Sequence, residues 1–434
     1  MLFALAAPAI WNGFPLIFPD TGGYLTRPLE GTLDMGRSAL YGLFLDAGIS
    51  SAFWLNVILQ SALAAWLVAL TLRAHAFGGR PWLALGVVAL LTVTTSLPWL
   101  TGLLLPDLLF PAAILALHLL LFRQLATWER GVLAGVIAFA IASHMAAAGL
   151  CAGVVVALLL IGQVPQLNLP RPRVTLAAAA VAAGIALCPL SNAAITGTFA
   201  FTPGGSSFLF GRLLEDGIVS RYLGEHCPAP ALRLCAYKTN LPDDADGWLW
   251  DPDSPFRKLD GWEGVGTEER DIALATLRAY PLMHAVAAIT DIFDQLASFQ
   301  TEVSMDDNAP TLAALHEWTP ELYPALMDAR QQTGRIDPAK LNLVHVPAAT
   351  LAMAGLIAAL IFRRRLKISP ELAAFCTTVL LALFVNAAVC ALFSHAVDRY
   401  QSRLAPLAVF AIILLVIDRW RRRDPHLGPP ADLQ

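Results

Sequence analysis

The sequence predicts an all-α fold, a polytopic transmembrane bundle of about ten spans carrying a mainly helical extracytoplasmic domain. Three observations predict it. Of 434 residues, 57% are hydrophobic and 14% charged, where a soluble domain carries about a quarter charged residues. The apolar residues gather in runs close to the roughly 17–25 residues that a membrane-crossing helix needs. Arg and Lys recur in short connections between alternate runs, the signature of a cytoplasmic side. Mean hydropathy is +0.61. The net charge of −4, with no basic stripe interleaved with aromatics, argues against nucleic-acid binding.

In chain order the expected spans are 1–18, 52–72, 82–98, 105–122, 131–146, 148–163, 174–196, 346–362, 371–393 and 402–418. Run 1–18 has no Lys or Arg before its apolar stretch and no clear cleavage site, unlike a secretion signal. It reads as a short first span, or as one whose true start lies upstream. Region 131–163 is too long for one span, and Gly149 marks the expected hairpin. Under this count Arg73, Arg80, Arg123, Arg130, Arg171, Arg173, Arg363, Arg364, Arg365, Lys367, Arg419, Arg421, Arg422 and Arg423 share the cytoplasmic side, with the C-terminus. Asp20, Asp107, His144, His395, Asp398 and Arg399 then fall at the outer face. High Ala, Leu and Arg with little Lys points to a GC-rich bacterial genome and hence to a bacterial inner membrane.

Three regions follow: 1–196 as an N-terminal transmembrane core, 197–345 as an extracytoplasmic domain, and 346–434 as C-terminal spans and cytoplasmic tail. Segment 197–345 far exceeds an ordinary loop, and its composition shifts to Asp, Glu, Trp and Pro. Stretches 206–222 and 268–299 have helical periodicity, with Pro281 kinking or splitting the second. Stretch 240–266 reads as irregular loop. Cys227 and Cys235 are the only cysteines outside the spans. In an oxidising compartment they favour a disulfide worth about 2–3 kcal/mol, against two free thiols as the alternative.

Four stretches carry chemistry. Phe18-Pro-Asp-Thr-Gly-Gly-Tyr24-Leu25 follows the first run. Gly36-Arg37-Ser38-Ala39-Leu40-Tyr41-Gly42 precedes the second, which contains Gln60. Leu105-Pro106-Asp107-Leu108 opens the fourth, and Asp398-Arg399-Tyr400 with Pro406 opens the last. In order and placement these resemble the motifs of the GT-C superfamily, polytopic glycosyltransferases that use polyprenyl-phosphate sugars at the outer face of a membrane. The likeness covers about 1–196 and 346–418. A single acid at Asp20 stands where many members have an Asp-Glu pair, Ser38-Ala39 replaces prolines, and His144 lies where Arg is common.

The resemblance implies a lipid-linked sugar as donor and a glycan, lipid or protein as acceptor. It implies Asp20 as the base that deprotonates the acceptor and Asp107 as a ligand for the donor or for a divalent ion, Mg or Mn. Arg399 and Arg37 would hold the phosphate, since a guanidinium matches its oxygens in a fork. Each acid also has a plainer reading as a helix cap after a proline. Tyr24, Tyr41, Trp54, Trp99 and Tyr400 are sugar-stacking candidates or interfacial aromatics. His144 and His395 are candidate ligands or proton carriers, or hydrogen-bonded interfacial residues. Trp248, Trp250 and Trp262 form an acceptor platform or a domain core.

Two other functions compete. A transporter or flippase needs ionisable or broken-helix residues near the midplane and symmetry between halves, whereas the spans read as nearly free of buried charge. An envelope assembly protein with a GT-C-like fold and no catalysis fits the single first-loop acid.

Overall fold

Local chemistry at their ends converts the apolar runs into helices. Ser369 caps one of the longest by accepting from the Leu372 N–H at 3.2 Å, with Pro370 at its first position and Glu371 in its first turn. Asp337 does the same for the helix that begins at Pro338. Gly13 and Gly197 stop two others by adopting φ of 90° and 75°. The computed structural model describes all residues except 33–36, 79–80, 202–203, 230–231, 304–308 and 424–434. Gly36 and Arg80 therefore lie outside the described residues.

The first half contains α1 (Leu2–Asn12), α2 (Pro19–Glu30), α3 (Ala39–Asp46), α4 (Trp54–Ala74), α5 (Pro81–Thr94), α6 (Leu97–Gly102), α7 (Leu109–Phe122), α8 (Thr127–Ser143), α9 (Ala146–Ile161) and α10 (Val174–Thr196). The middle contains α11 (Gly205–Glu215), α12 (Ile218–His226), α13 (Ala245–Trp250), α14 (Pro255–Lys258), α15 (Gly261–Gly264), α16 (Gly266–Ala279), α17 (Pro281–Ala297), α18 (Ala309–Trp318) and α19 (Tyr323–Met327). The last part contains α20 (Pro338–Ile361), α21 (Arg363–Leu366), α22 (Pro370–Phe393), α23 (Asp398–Ser402) and α24 (Ala405–Arg423).

Among the described residues there is no strand, only an isolated parallel bridge between Leu16 and Leu103. Among the described residues, five helices are long and apolar enough to cross a membrane: α4, α10, α20, α22 and the unit Asp398–Arg423. The pair α16 and α17, bent by 103°, meets the same test together. Several expected spans are shorter helices, because glycine, proline and histidine interrupt their runs. Run 1–18 ends its helix at Asn12, before Gly13. Region 131–163 breaks at His144 and Met145, not at Gly149. Gly149 and Gly153 lie inside α9, where their missing side chains let Val389 and Val385 of α22 approach.

One large apolar core joins α1 to α10 with α20, α22 and α24. A second core gathers Phe210, Leu213, Trp248, Phe256 and Ile272 within the middle segment. Cys227 and Cys235 are joined there with an S–S distance of 2.03 Å. The stretch expected as irregular, 240–266, contains three short helices. Asp244 caps α13 and Ser254 caps α14. Stretch 206–222 is two helices parted at Gly217, whose φ is 70°.

The basic connections meet at one end of the bundle. Arg73 pairs with Glu129, Arg421 donates to the Ala76 carbonyl at 2.7 Å, Arg422 donates to the Lys367 carbonyl, and Arg363 to the Gln166 carbonyl at 3.4 Å. The bridge between Leu16 and Leu103 lies at the other end. Leu16 N–H donates to the Gly102 carbonyl at 2.9 Å, and Leu104 N–H to the Leu16 carbonyl at 2.8 Å. That stitch holds the segment before Asp20 beside the segment before Asp107.

Candidate functional site

Four chain segments converge at this end: 16–21, 102–107, 300–303 and 395–403. Thr21 Oγ1 donates to the Leu104 carbonyl at 3.2 Å. The Gln331 side chain accepts from the Ile17 N–H and donates to the carbonyls of Ile17 and Val303. Asn386 donates to the Tyr400 carbonyl and to Gln401, both at 2.8 Å. Buried amides thus fix the backbone around the charges, as buried polar groups require.

Pro19 starts α2 and Asp20 lies in its first turn, but the cap function belongs to Thr21, whose hydroxyl accepts the Phe18 N–H at 2.9 Å. The Asp20 carboxylate instead bridges two arginines. Oδ1 accepts from Arg37 at 2.5 Å and Oδ2 from Arg399 at 2.8 Å. Burial works to raise the Asp20 pKa, but the two guanidiniums outweigh it and hold the carboxyl well below the usual carboxylate range. Arg399 lies over the Phe18 ring at 4.6 Å and beside Tyr400 at 5.4 Å, while Arg37 lies 5.9 Å from Trp250.

Asp107 sits in a short 3-10 turn, Pro106–Leu108, and makes no side-chain cap. Its carboxylate accepts from Arg403 at 3.1 Å, with the pair almost sealed from solvent. Arg403 also donates to Asn386 at 3.3 Å and lies on the Phe110 ring at 3.3 Å. His144 stands edge-on to the same ring at 5.2 Å, and its Nδ1 accepts from the Ala146 N–H. Both charges of this pair lie at the ends of expected spans, Asp107 near the start of 105–122 and Arg403 near the start of 402–418. Arg403, at the start of the run expected as the last span, joins Arg399 as a second arginine of this site. The signal was available, since Arg403 is one helical turn beyond Arg399.

Tyr24 and Tyr41 are buried and meet edge to face at 5.2 Å. Tyr41 donates to Gln60 at 3.2 Å, and Gln60 donates to the Thr101 and Leu103 carbonyls. Both tyrosines thus carry structural contacts and show little ring face to solvent. Gly42 explains how they meet, because a Cβ there would collide with the Tyr24 carbonyl. Asp398 accepts the Gln300 N–H at 2.7 Å and leaves Arg399 to Asp20.

The middle segment supplies residues that sequence spacing did not connect to the site. Asp246 of α13 faces His395 at 3.6 Å. Burial would lower the His395 pKa, but Asp246 outweighs it and the net shift is upward. Trp250 of the same helix reaches Arg37, whereas Trp248 is core, donating to Glu269 at 2.9 Å. Glu302, between α17 and α18, lies within electrostatic reach of Asp398, Arg399, Asp107 and Asp246. Burial, then Asp398, raises its pKa. Cys227 packs against the second core, and its disulfide ties Cys235 to it.

The donor set around Asp107 does not fit a divalent cation as it stands. Its carboxylate is committed to Arg403, and among the described residues no three His, Cys, Asp or Glu side chains gather as a metal site. The cluster is instead rich in guanidinium, a chemistry that suits a phosphate oxyanion. No protein-family model, no curated protein and no solved structure matches the chain.

Proposed function

We propose that this protein is an integral membrane glycosyltransferase of GT-C type, moving a sugar from a polyprenyl-phosphate carrier to an envelope acceptor. One observation carries the reading: Arg37 and Arg399, from distant parts of the chain, converge on the single carboxylate of Asp20 beside a long apolar bundle. In this reading about ten apolar segments span or enter a bacterial inner membrane. The basic end and C-terminus are cytoplasmic, and 197–345 is extracytoplasmic.

The arrangement suits exchange. A lipid phosphate brings two or more anionic oxygens, which compete with Asp20 for the guanidiniums. Once Arg37 and Arg399 turn to phosphate, the Asp20 pKa rises toward its ordinary range and the carboxylate becomes a better base. It then takes the proton of an acceptor hydroxyl or amine. The acceptor's oxygen or nitrogen bonds to the anomeric carbon, the carbon–oxygen bond to phosphate breaks, and the departing polyprenyl phosphate keeps that electron pair. The two arginines stabilise the added negative charge. Arg403 holds Asp107 toward the same region, and no step is routed through a metal. Glu302 is a second base candidate, since its raised pKa favours proton uptake.

A binding protein without transfer is the second reading. It is favoured by the full neutralisation of Asp20, which makes it a weak base until the arginines are drawn away. Complementation separates the two. In a null strain, wild type should restore the envelope glycan or lipid profile, and Asp20→Asn and Asp107→Asn should not. Full rescue by both variants rejects the transferase.

A further inference from the structure

The basic clusters at 363–367 and 419–423 mark sidedness, and they also flank a cleft. Helices α20 and α24 are in close contact where Gly355 meets Ile412, at 3.0 Å for a built Cβ. Beyond that point they part. Helix α20 ends at Ile361, and the chain turns back through Lys367, whose φ is 53°. The opening has a volume of about 320 Å³. Its walls are apolar, with Ala359, Ile412, Leu415 and Val416, and its rim carries Arg419, Arg422 and Arg423.

The rim charges are not alike. Arg422 is engaged by Asp418 at 2.7 Å and donates to the Lys367 carbonyl. Among the described residues Asp418 is the one acid in the cleft lining. Arg419 and Arg423 stand one helical turn apart on the same face of α24, and neither has a carboxylate partner among the described residues. Two guanidiniums so placed repel each other. Their position in the last turn suits the helix dipole, but that does not explain an apolar cleft beneath them. Val416 and Trp420 line the cleft and are more than half exposed, so the surface around it is apolar as well. An aromatic at such a level suits a membrane interface.

We infer that this cleft is a binding site for an anionic phospholipid. The phosphate sits between Arg419 and Arg423, and an acyl chain lies along Ala359, Ile412, Leu415 and Val416. Charge complementarity selects the headgroup, and the apolar walls select a lipid over a soluble anion. The site lies at the basic end of the bundle, opposite Asp20 and Arg399, and does not depend on the chemistry performed there.

The test is thermal unfolding of the full chain in nanodiscs of phosphatidylcholine alone or with phosphatidylglycerol, and in phosphatidylcholine discs with added inorganic phosphate. Compared with wild type are Arg419→Gln/Arg423→Gln and a control, Arg364→Gln/Arg365→Gln, which removes equal charge outside the cleft lining. Expected is a rise in Tm with phosphatidylglycerol for wild type and control, lost in Arg419→Gln/Arg423→Gln, with inorganic phosphate giving no rise. Native mass spectrometry should show phosphatidylglycerol retained by wild type and control and lost from the cleft variant. An equal rise and equal retention in all three proteins overturns the site. A rise with inorganic phosphate alone overturns the lipid assignment.

Discussion

Asp20 and Asp107 both follow a proline and both meet arginine, but the two pairings are built differently. The side chains of Asp107 and Arg403 are 4% and 1% exposed, and Asn386 and Phe110 hold Arg403 in place. Asp20 is 27% exposed, its partners Arg37 and Arg399 are 15% and 12% exposed, and one carboxylate serves two cations. A sealed one-to-one pair has no room to trade partners. A half-open pairing with an excess of positive charge can accept an anion from outside. The first therefore fixes where segments 102–107 and 398–403 sit, and the second is free to respond to a ligand.

The largest effect is expected from breaking the sealed pair. Asp107→Asn or Arg403→Met alone should lower stability by about 3–5 kcal/mol, because each leaves a buried charge uncompensated. The double variant should cost less than the sum of the two. Thermal unfolding in nanodiscs measures this, and unchanged melting in both single variants would place the pair in solvent.

Asp20→Asn should behave in the opposite way. Its stability cost should be smaller than that of the sealed pair, about 1–3 kcal/mol, because the pairing is partly open to solvent. Transfer should fall by about 10²–10⁴-fold if Asp20 is the base. Glu302→Gln sharpens the comparison: if that variant loses transfer and Asp20→Asn does not, the base is Glu302 and Asp20 is a placeholder for the phosphate.

Acidity offers a gentler probe. The Asp20 pKa is depressed in the fold, so its contribution to stability is complete above the unfolded value of 3.8 and is lost as pH falls through the folded value. Asp20→Asn should remove that acid sensitivity, and unfolding curves below pH 3.8 check it. His395 has the reverse sign. Its pKa is raised, so its link to Asp246 is complete below 6.5 and is lost as pH rises through the folded value. His395→Gln should flatten the stability profile above pH 6.5 by less than about 1 kcal/mol. A profile that stays as steep in the variant would remove His395 from the contact.

Helical class was legible because it rests on composition and local periodicity, but among the described residues only five of the ten expected spans are helices of membrane-crossing length. Segment boundaries were less legible. Residues 144–145 break region 131–163, whereas Gly149 was expected to, because the glycine serves close packing against Val389. Arg37 and Arg399 could be named from motif order, but their common partner could not, since 379 positions separate Arg399 from Asp20. Arg403 stands at the polar edge of the last apolar run, and its buried charge is matched by Asp107, which arrives from another segment. Asp246, Trp250 and Glu302 reach the site through the docking of the middle segment, which no local pattern encodes.

Binding of undecaprenyl phosphate to the protein in nanodiscs tests the central claim most directly, using wild type, Asp20→Asn and Arg399→Ala. If Asp20 holds the arginines ready for a phosphate, Asp20→Asn binds the lipid more tightly than wild type and Arg399→Ala binds it more weakly. Equal binding by all three proteins would contradict it.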